Sequence, residues 1–149
     1  MRFLIGCLTL LVVGTLIAQV ATYENVASTR EIMTSMIIPS SNALFAANEK
    51  ATDAEWAELR KNALLLAEAG NLLMTPGRIA NTHTKAALKT GTKGSGNPAA
   101  WNQAAKDMRN AGKLALEAID KRDTELLAGD VADGILASCS NCHDKYPIK

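Results

Sequence analysis

The residue types best suited to chemistry are concentrated near the carboxyl end of the chain. Residues 139–143 read Cys-Ser-Asn-Cys-His, which places two thiols and one imidazole within five positions. This C-x-x-C-H spacing is typical of covalent c-type haem attachment. Each thiol can add to one vinyl group of the macrocycle, and the adjacent imidazole of His143 can bind the iron as proximal ligand. The sequence therefore predicts one haem c, attached through Cys139 and Cys142.

Other chemistries have less support in the sequence. A thiol–disulfide site places its C-x-x-C pair at the start of a helix that follows a strand, and no strand is predicted here. A structural zinc site needs a fourth protein ligand, and the rest of the chain offers only His83 and Cys7. No catalytic serine–histidine–aspartate order or phosphate-binding glycine loop is evident. We therefore expect a carrier or binding protein and not an enzyme.

The first 21 residues differ from the rest of the chain. Arg2 is the only charge before Glu24, and residues 3–18 are almost wholly apolar. A short basic start, an apolar run and small residues near its end are typical of a secretory signal. The alternative is an uncleaved membrane anchor, since the run approaches membrane-spanning length. Residues 1–21 are thus interpreted as a signal that contains Cys7, and residues 22–149 as one domain exported to the periplasm.

The composition favours one compact helical domain. The chain has 149 residues, of which 48% are hydrophobic and only 4% are aromatic, and this length suits one domain. Abundant alanine and leucine favour helices over strands. A formal net charge of +1, from 16 basic and 15 acidic residues, gives no electrostatic basis for binding nucleic acid.

Four helices are predicted in the exported part. Their starts are marked by N-cap side chains: Ser28 or Thr29, Thr52 in a capping box with Glu55, Asn97 before Pro98, and Asp123. The first helix has apolar residues at helical spacing: Val26, Met33, Ile37 and Leu44. Pro39 should kink or divide this helix. The second helix should end before residues 76–77, and residues 75–97 form a long connection in which residues 86–88 can make a helical turn. The pattern predicts an antiparallel four-helix bundle with one long crossover between helices 2 and 3.

A C-terminal C-x-x-C-H on the last helix of an exported four-helix chain resembles the cytochrome c′ and cytochrome c556 family. Two further stretches resemble a branch of small c-type cytochromes with this fold. They are residues 29–33 with Pro39, and Trp56 with residues 72–78. The resemblance implies a homodimer through helices 1 and 2. Redox partner proteins are expected, but the sequence does not identify them.

The resemblance also implies that the iron ligand opposite His143 decides the function. Family members with a first-helix methionine on the iron carry single electrons, whereas members with an apolar residue there bind small gases. Met33 is the predicted sixth ligand because it shares a helical stripe with Ile37 and Leu44, and Met36 is the alternative. The prediction is a periplasmic monohaem electron carrier. The alternative is a five-coordinate protein that binds nitric oxide or carbon monoxide.

Five other residues have weaker functional interpretations. Arg30 and Arg78 are candidates to pair with the haem propionates, because buried anions need cationic partners. The alternative is that both are solvated surface charges. Trp56 and Trp101 either pack on the macrocycle or anchor the core. His83, in the long connection, is expected to be solvated.

Overall fold

The computed structural model describes residues 23–78 and 97–146, and every regular element in these ranges is helical. These described ranges contain four helices: α1 (residues 29–45), α2 (Asp53–Leu73), α3 (Pro98–Lys121) and α4 (residues 124–143). The all-α prediction is thus confirmed for this part of the chain. The predicted signal, His83, the turn at residues 86–88 and most of the long connection lie outside the described residues. None of the described helices has both the length and the apolar character needed to cross a membrane.

The predicted helix starts are confirmed. Each start has an N-cap side chain that accepts a hydrogen bond from a backbone N–H two or three residues later. The N-caps are Ser28, Thr52, Asn97 and Asp123. Thr52 and Glu55 form the predicted reciprocal capping box, and Ser28 forms another with Glu31. The C-cap of helix α3 is Arg122, which has the left-handed conformation (φ 52°). Asp123 follows immediately, so α3 and α4 are joined by a very short turn.

Helix α1 is irregular in its middle. It consists of α-helical Thr29–Ile32, π-helical Met33–Ile37 and α-helical Ile38–Phe45. In the wider π turn, the backbone N–H of Ile38 donates to the carbonyl of Met33, five residues earlier. The helix continues through Pro39, which lies in the first turn of the last piece, where proline is tolerated. The division therefore precedes the proline, at Ile37 and Ile38.

The inclusion of Val26 in the apolar stripe of α1 was wrong. Val26 lies two residues before the Ser28 N-cap and is 88% exposed. A stripe of period 3.6 continues only while the backbone is helical, and the backbone before Ser28 is not. Ile37 and Leu44 are buried as predicted, and Met33 is partly buried against the core.

Helix α4 has a similar irregularity. It runs through α-helical Thr124–Leu126, π-helical Leu127–Val131 and α-helical Ala132–His143. Gly129, within the π segment, has a non-helical backbone (φ −95°, ψ −105°). The kink redirects the final piece of the helix, which contains the C-x-x-C-H motif.

Helices α2 and α3 form the most extensive interface of the described residues. Two glycines allow their backbones to touch. A methyl group on Gly112 would lie 2.6 Å from the backbone nitrogen of Ala67, and one on Gly70 would lie 2.7 Å from that of Arg109. Helix α4 packs on α3 and α1 packs on α2, whereas α1 and α4 share few contacts. The α2–α3 pair therefore supports the other two helices.

Replacing Gly112 with alanine should destabilise the chain. The added methyl has no space, since its nearest neighbours are backbone atoms, and overpacking of this kind costs about 1–3 kcal/mol. Gly134→Ala is the matched control: its methyl would meet only the Ala111 Cβ, at 3.4 Å, and alanine is the better helix former. Urea unfolding should show a lower midpoint for Gly112→Ala alone. Equal midpoints for both variants would contradict the close α2–α3 contact.

Candidate functional site

The C-x-x-C-H motif forms the last five residues of α4, which ends at His143. The side chains of Cys139 and Cys142 are half-buried and packed against the core, and His143 is exposed. All three border one pocket of about 80 Å³ whose surface is apolar. The other residues that line it are Met33, Ile37, Ile38, Leu73, Ala104 and Met108. The pocket thus joins the end of α4 to α1, α2 and α3.

The π segment of α1 determines which methionine reaches this pocket. Met33 and Ile37, at its two ends, both line the pocket, and so does Ile38. Met36 is partly buried against the core but is not among the lining residues. Of the two methionines that the sequence singled out, the structure therefore brings Met33 to the motif. π-Helical segments occur frequently at functional sites.

A buried aromatic pair holds the chain just after the motif. The Tyr146 ring packs edge-to-face on Trp101, with ring centres 5.0 Å apart. Its hydroxyl donates to the carbonyl of Asn97 (2.6 Å), and its backbone N–H donates to the carbonyl of Cys142 (2.8 Å). The indole N–H of Trp101 donates to the carbonyl of Leu73 (2.6 Å). One network thus ties the motif to α2 and α3.

Tyr146 was not predicted as a site residue. For Trp101 the sequence left two interpretations, packing on the macrocycle or anchoring the core. Trp101 is a core anchor, and it does not line the pocket. Trp56 is also buried, with the Arg122 guanidinium 6.0 Å from its ring centre. The sequence did contain a signal for Tyr146. Tyrosine occurs only twice in the whole chain, and one of the two lies three positions after His143.

The two candidate arginines have different environments. Arg30 is exposed on α1, as a solvated charge would be. Arg78 is only 3% exposed, and burial lowers the pKa of its guanidinium. Its Nε donates to the carbonyl of Leu72 (3.2 Å) and its Nη1 to that of Ala27. Arg78 therefore links the end of α2 to the segment before α1, and it is not a solvated surface charge.

The environment of the two thiols favours their protonated form. Burial raises the pKa of Cys142 from 9.0 to about 11, with a smaller contribution from neighbouring Cys139, and Lys145 opposes the shift. Burial also raises the pKa of Cys139. Both lie at the carboxyl end of a helix, where the helix dipole disfavours an anion. Thiol–disulfide exchange needs a thiolate, which catalytic sites obtain by lowering the pKa. The arrangement therefore disfavours that chemistry.

The buried Cys142 thiol should make stability depend on alkaline pH. In the unfolded chain this thiol loses its proton near pH 9, whereas the folded chain retains it until about pH 11. The unfolded state then binds fewer protons, so the free energy of unfolding falls as pH rises between these values. A shift of this size corresponds to about 2–3 kcal/mol. With both thiols free, urea unfolding at pH 8 and pH 11 should show a smaller decrease for Cys142→Ser than for the native sequence. Equal decreases would contradict the raised pKa.

Within residues 23–78 and 97–146, no group of three His, Cys, Asp or Glu side chains is arranged to hold a metal ion. His83 and Cys7, the further zinc ligands considered above, are outside these ranges. Comparison with known proteins gave no match to any family model, curated protein or solved structure. Function is therefore inferred from the residues of this chain and their geometry.

Proposed function

We propose that the chain is a periplasmic monohaem c-type cytochrome that carries single electrons, built as an antiparallel four-helix bundle of the cytochrome c′ and c556 type. One observation supports this most directly. Met33, the predicted sixth ligand from α1, lines the same apolar pocket as Cys139, Cys142 and His143 of α4. Two thiols, an imidazole and a thioether at one apolar site are the donor set of a c-type haem with histidine and methionine ligands.

The chemistry of the residues around the pocket suits a haem. The pocket is too small for one, however, so haem binding requires the surrounding helices to move. About 80 Å³ is well below the roughly 300 Å³ of small ligand sites. The macrocycle can therefore enter only if α1 and α4 separate. Because these two helices share few contacts, the free-energy cost of separating them is small. Ile38 of α1, which lines the pocket, is 51% exposed. A large apolar group inserted here would cover it.

Each part of the chain then has a separate role. Cys139 and Cys142 would hold the haem as thioethers, and His143 and Met33 would bind its iron. The bound haem would supply the one-electron couple between iron(II) and iron(III). Because α4 packs on α3 and α1 packs on α2, His143 and Met33 would keep similar positions in both oxidation states. A methionine ligand raises the reduction potential relative to two nitrogen ligands. Ile37 and Leu73 contribute apolar walls that exclude water.

The proposal also includes an export signal, partners for the haem propionates and protein partners. Residues 1–21 act as the export signal, with an uncleaved anchor as the alternative. Arg30 and Arg78 are proposed propionate partners, although Arg78 already donates two hydrogen bonds to carbonyls. Exposed Phe45 of α1 and Leu64 of α2 are compatible with a homodimer through these helices. Electron partners would dock where the haem edge reaches the surface.

The second candidate function is gas binding by five-coordinate iron. It is favoured by the presence of Ile37 and Ile38 in the pocket lining, because an apolar residue opposite His143 leaves the sixth position open. The two functions share the attachment residues and differ only in whether the Met33 sulfur reaches the iron.

Haem attachment is tested by producing the full chain in a strain that assembles c-type cytochromes. The native protein should be red and should retain haem after acid–acetone extraction. Cys139→Ala or Cys142→Ala should leave at most one thioether and lower the yield of haem protein. His143→Ala should remove the proximal nitrogen and lower thermal stability, since a bound cofactor stabilises the native state. Folded, colourless native protein would refute the proposal.

The sixth ligand is tested by Met33→Leu, which retains volume and apolar character. The native oxidised protein should show the weak far-red band of sulfur-to-iron charge transfer. Met33→Leu should lose this band, become high-spin, bind carbon monoxide faster and have a lower potential. Met36→Leu, three positions along the same helix, is the control and should match the native protein. A native protein that is already high-spin, with no change in Met33→Leu, would support gas binding instead.

A further inference from the structure

The pocket beside the motif is rich in sulfur. Cys139 and Cys142 of α4, Met33 of α1 and Met108 of α3 all line it. Its volume, about 80 Å³, is roughly that of three water molecules in the liquid. A space of this volume can hold one coordinated metal ion. Four sulfur-bearing side chains from three helices therefore line a space that is large enough for one such ion.

We propose that the chain, before any haem is attached, binds one Cu(I) ion through Cys139, Cys142 and Met33. Soft thiolate and thioether ligands select Cu(I) over hard divalent cations. The two cysteines are three positions apart on one helix, where Cβ atoms lie about 5–6 Å apart, so both sulfurs can bind the same ion. The apolar surface of the pocket offers no competing oxygen ligand.

The third ligand is Met33 and not Met108. Met108 is buried in the core, so its sulfur has little freedom to turn toward an ion; the nearby Ser138 hydroxyl donates to the carbonyl of Ile135 (2.8 Å). Met33 is only partly buried and lies in the π segment of α1, opposite the motif. The result is a site of two thiolates and one thioether that joins α1 to α4.

The binding reaction is balanced without a change of oxidation state. The S–H bonds of Cys139 and Cys142 break, and their two protons pass to the solvent. The positive charge of the bound ion stabilises both thiolates and so offsets the burial that otherwise favours the protonated thiols. Two Cu–S bonds form, and Met33 adds a sulfur lone pair, while copper remains Cu(I). The same thiols are those that would add to the haem vinyl groups. Copper binding and haem attachment are therefore mutually exclusive; this exclusion rests on the proposed haem function, whereas copper binding itself does not.

The test uses the full chain produced without haem, reduced and kept free of oxygen. Cu(I) is titrated in competition with the chromophoric chelator bicinchoninate, and X-ray absorption counts the sulfur atoms around copper. The native chain should bind one Cu(I) with three sulfur neighbours. Met33→Leu should leave two sulfur neighbours and weaken binding by at least about tenfold, the lower end of what even outer-shell changes cost at metal sites. Met36→Leu should bind as the native chain does.

Two results would overturn the inference. One is the absence of copper transfer from the chelator. The other is unchanged affinity and sulfur count in Met33→Leu, which would indicate an ordinary dithiol that does not use the pocket. Met33→Leu is close to volume-conserving, so its fold should be retained, and circular dichroism checks this. Failure of the copper inference can be distinguished from failure of the proposed function. A chain that attaches haem but does not bind Cu(I) refutes only the copper inference. A chain that binds Cu(I) but does not attach haem refutes only the cytochrome proposal.

Discussion

The direct backbone contact between α2 and α3 is the constraint on which the other helices depend. Gly70 and Gly112 have no side chain, and no methyl group can be placed on either without meeting the backbone of the other helix. This closeness lets the small residues of both helices pack against each other over a long interface. Helix α1 then rests on α2 and helix α4 on α3. Because α1 and α4 meet only sparsely, the pocket forms where they face each other.

The motif lies at the end of helix α4, and helix ends tend to fray. Any ligand set needs fixed positions. Tyr146 provides a contact that holds this helix end, three residues after His143. Its ring packs on Trp101, its hydroxyl bonds to the start of α3, and its backbone bonds to Cys142. The last turn of α4 is therefore held by α3 and, through the Trp101 indole, by the end of α2.

Both π segments of the described residues lie in α1 and α4, two of the four helices that border the pocket. In α1 the segment determines that Met33, Ile37 and Ile38 line the pocket while Met36 packs elsewhere. In α4 the segment and its non-helical Gly129 precede the piece that contains the motif. A regular helix would present a different set of side chains beyond each of these points, since the helical period sets which residues share a face. The donor set of the pocket thus depends on local departures from ideal geometry.

Local chemistry allowed much of this protein to be predicted from its sequence. The C-x-x-C-H spacing is a property of five residues. The N-caps at Ser28, Thr52, Asn97 and Asp123 depend on bonds within three residues of each cap, so the helix starts could be predicted. The burial of Ile37 and Leu44 followed from helical periodicity, which failed for Val26 because that residue precedes the helix.

Tertiary structure decided what depends on contacts between distant residues. Helical spacing predicted that Met33 faces the interior, but its place beside Cys139 and Cys142 in one pocket depends on how α1 packs. The burial of Arg78 depends on carbonyls at Ala27 and Leu72, the first of which is 51 residues away. Tyr146 finds its partner 49 residues earlier, at Asn97. A local pattern contains no information on such partners, because they are brought together only when the helices pack.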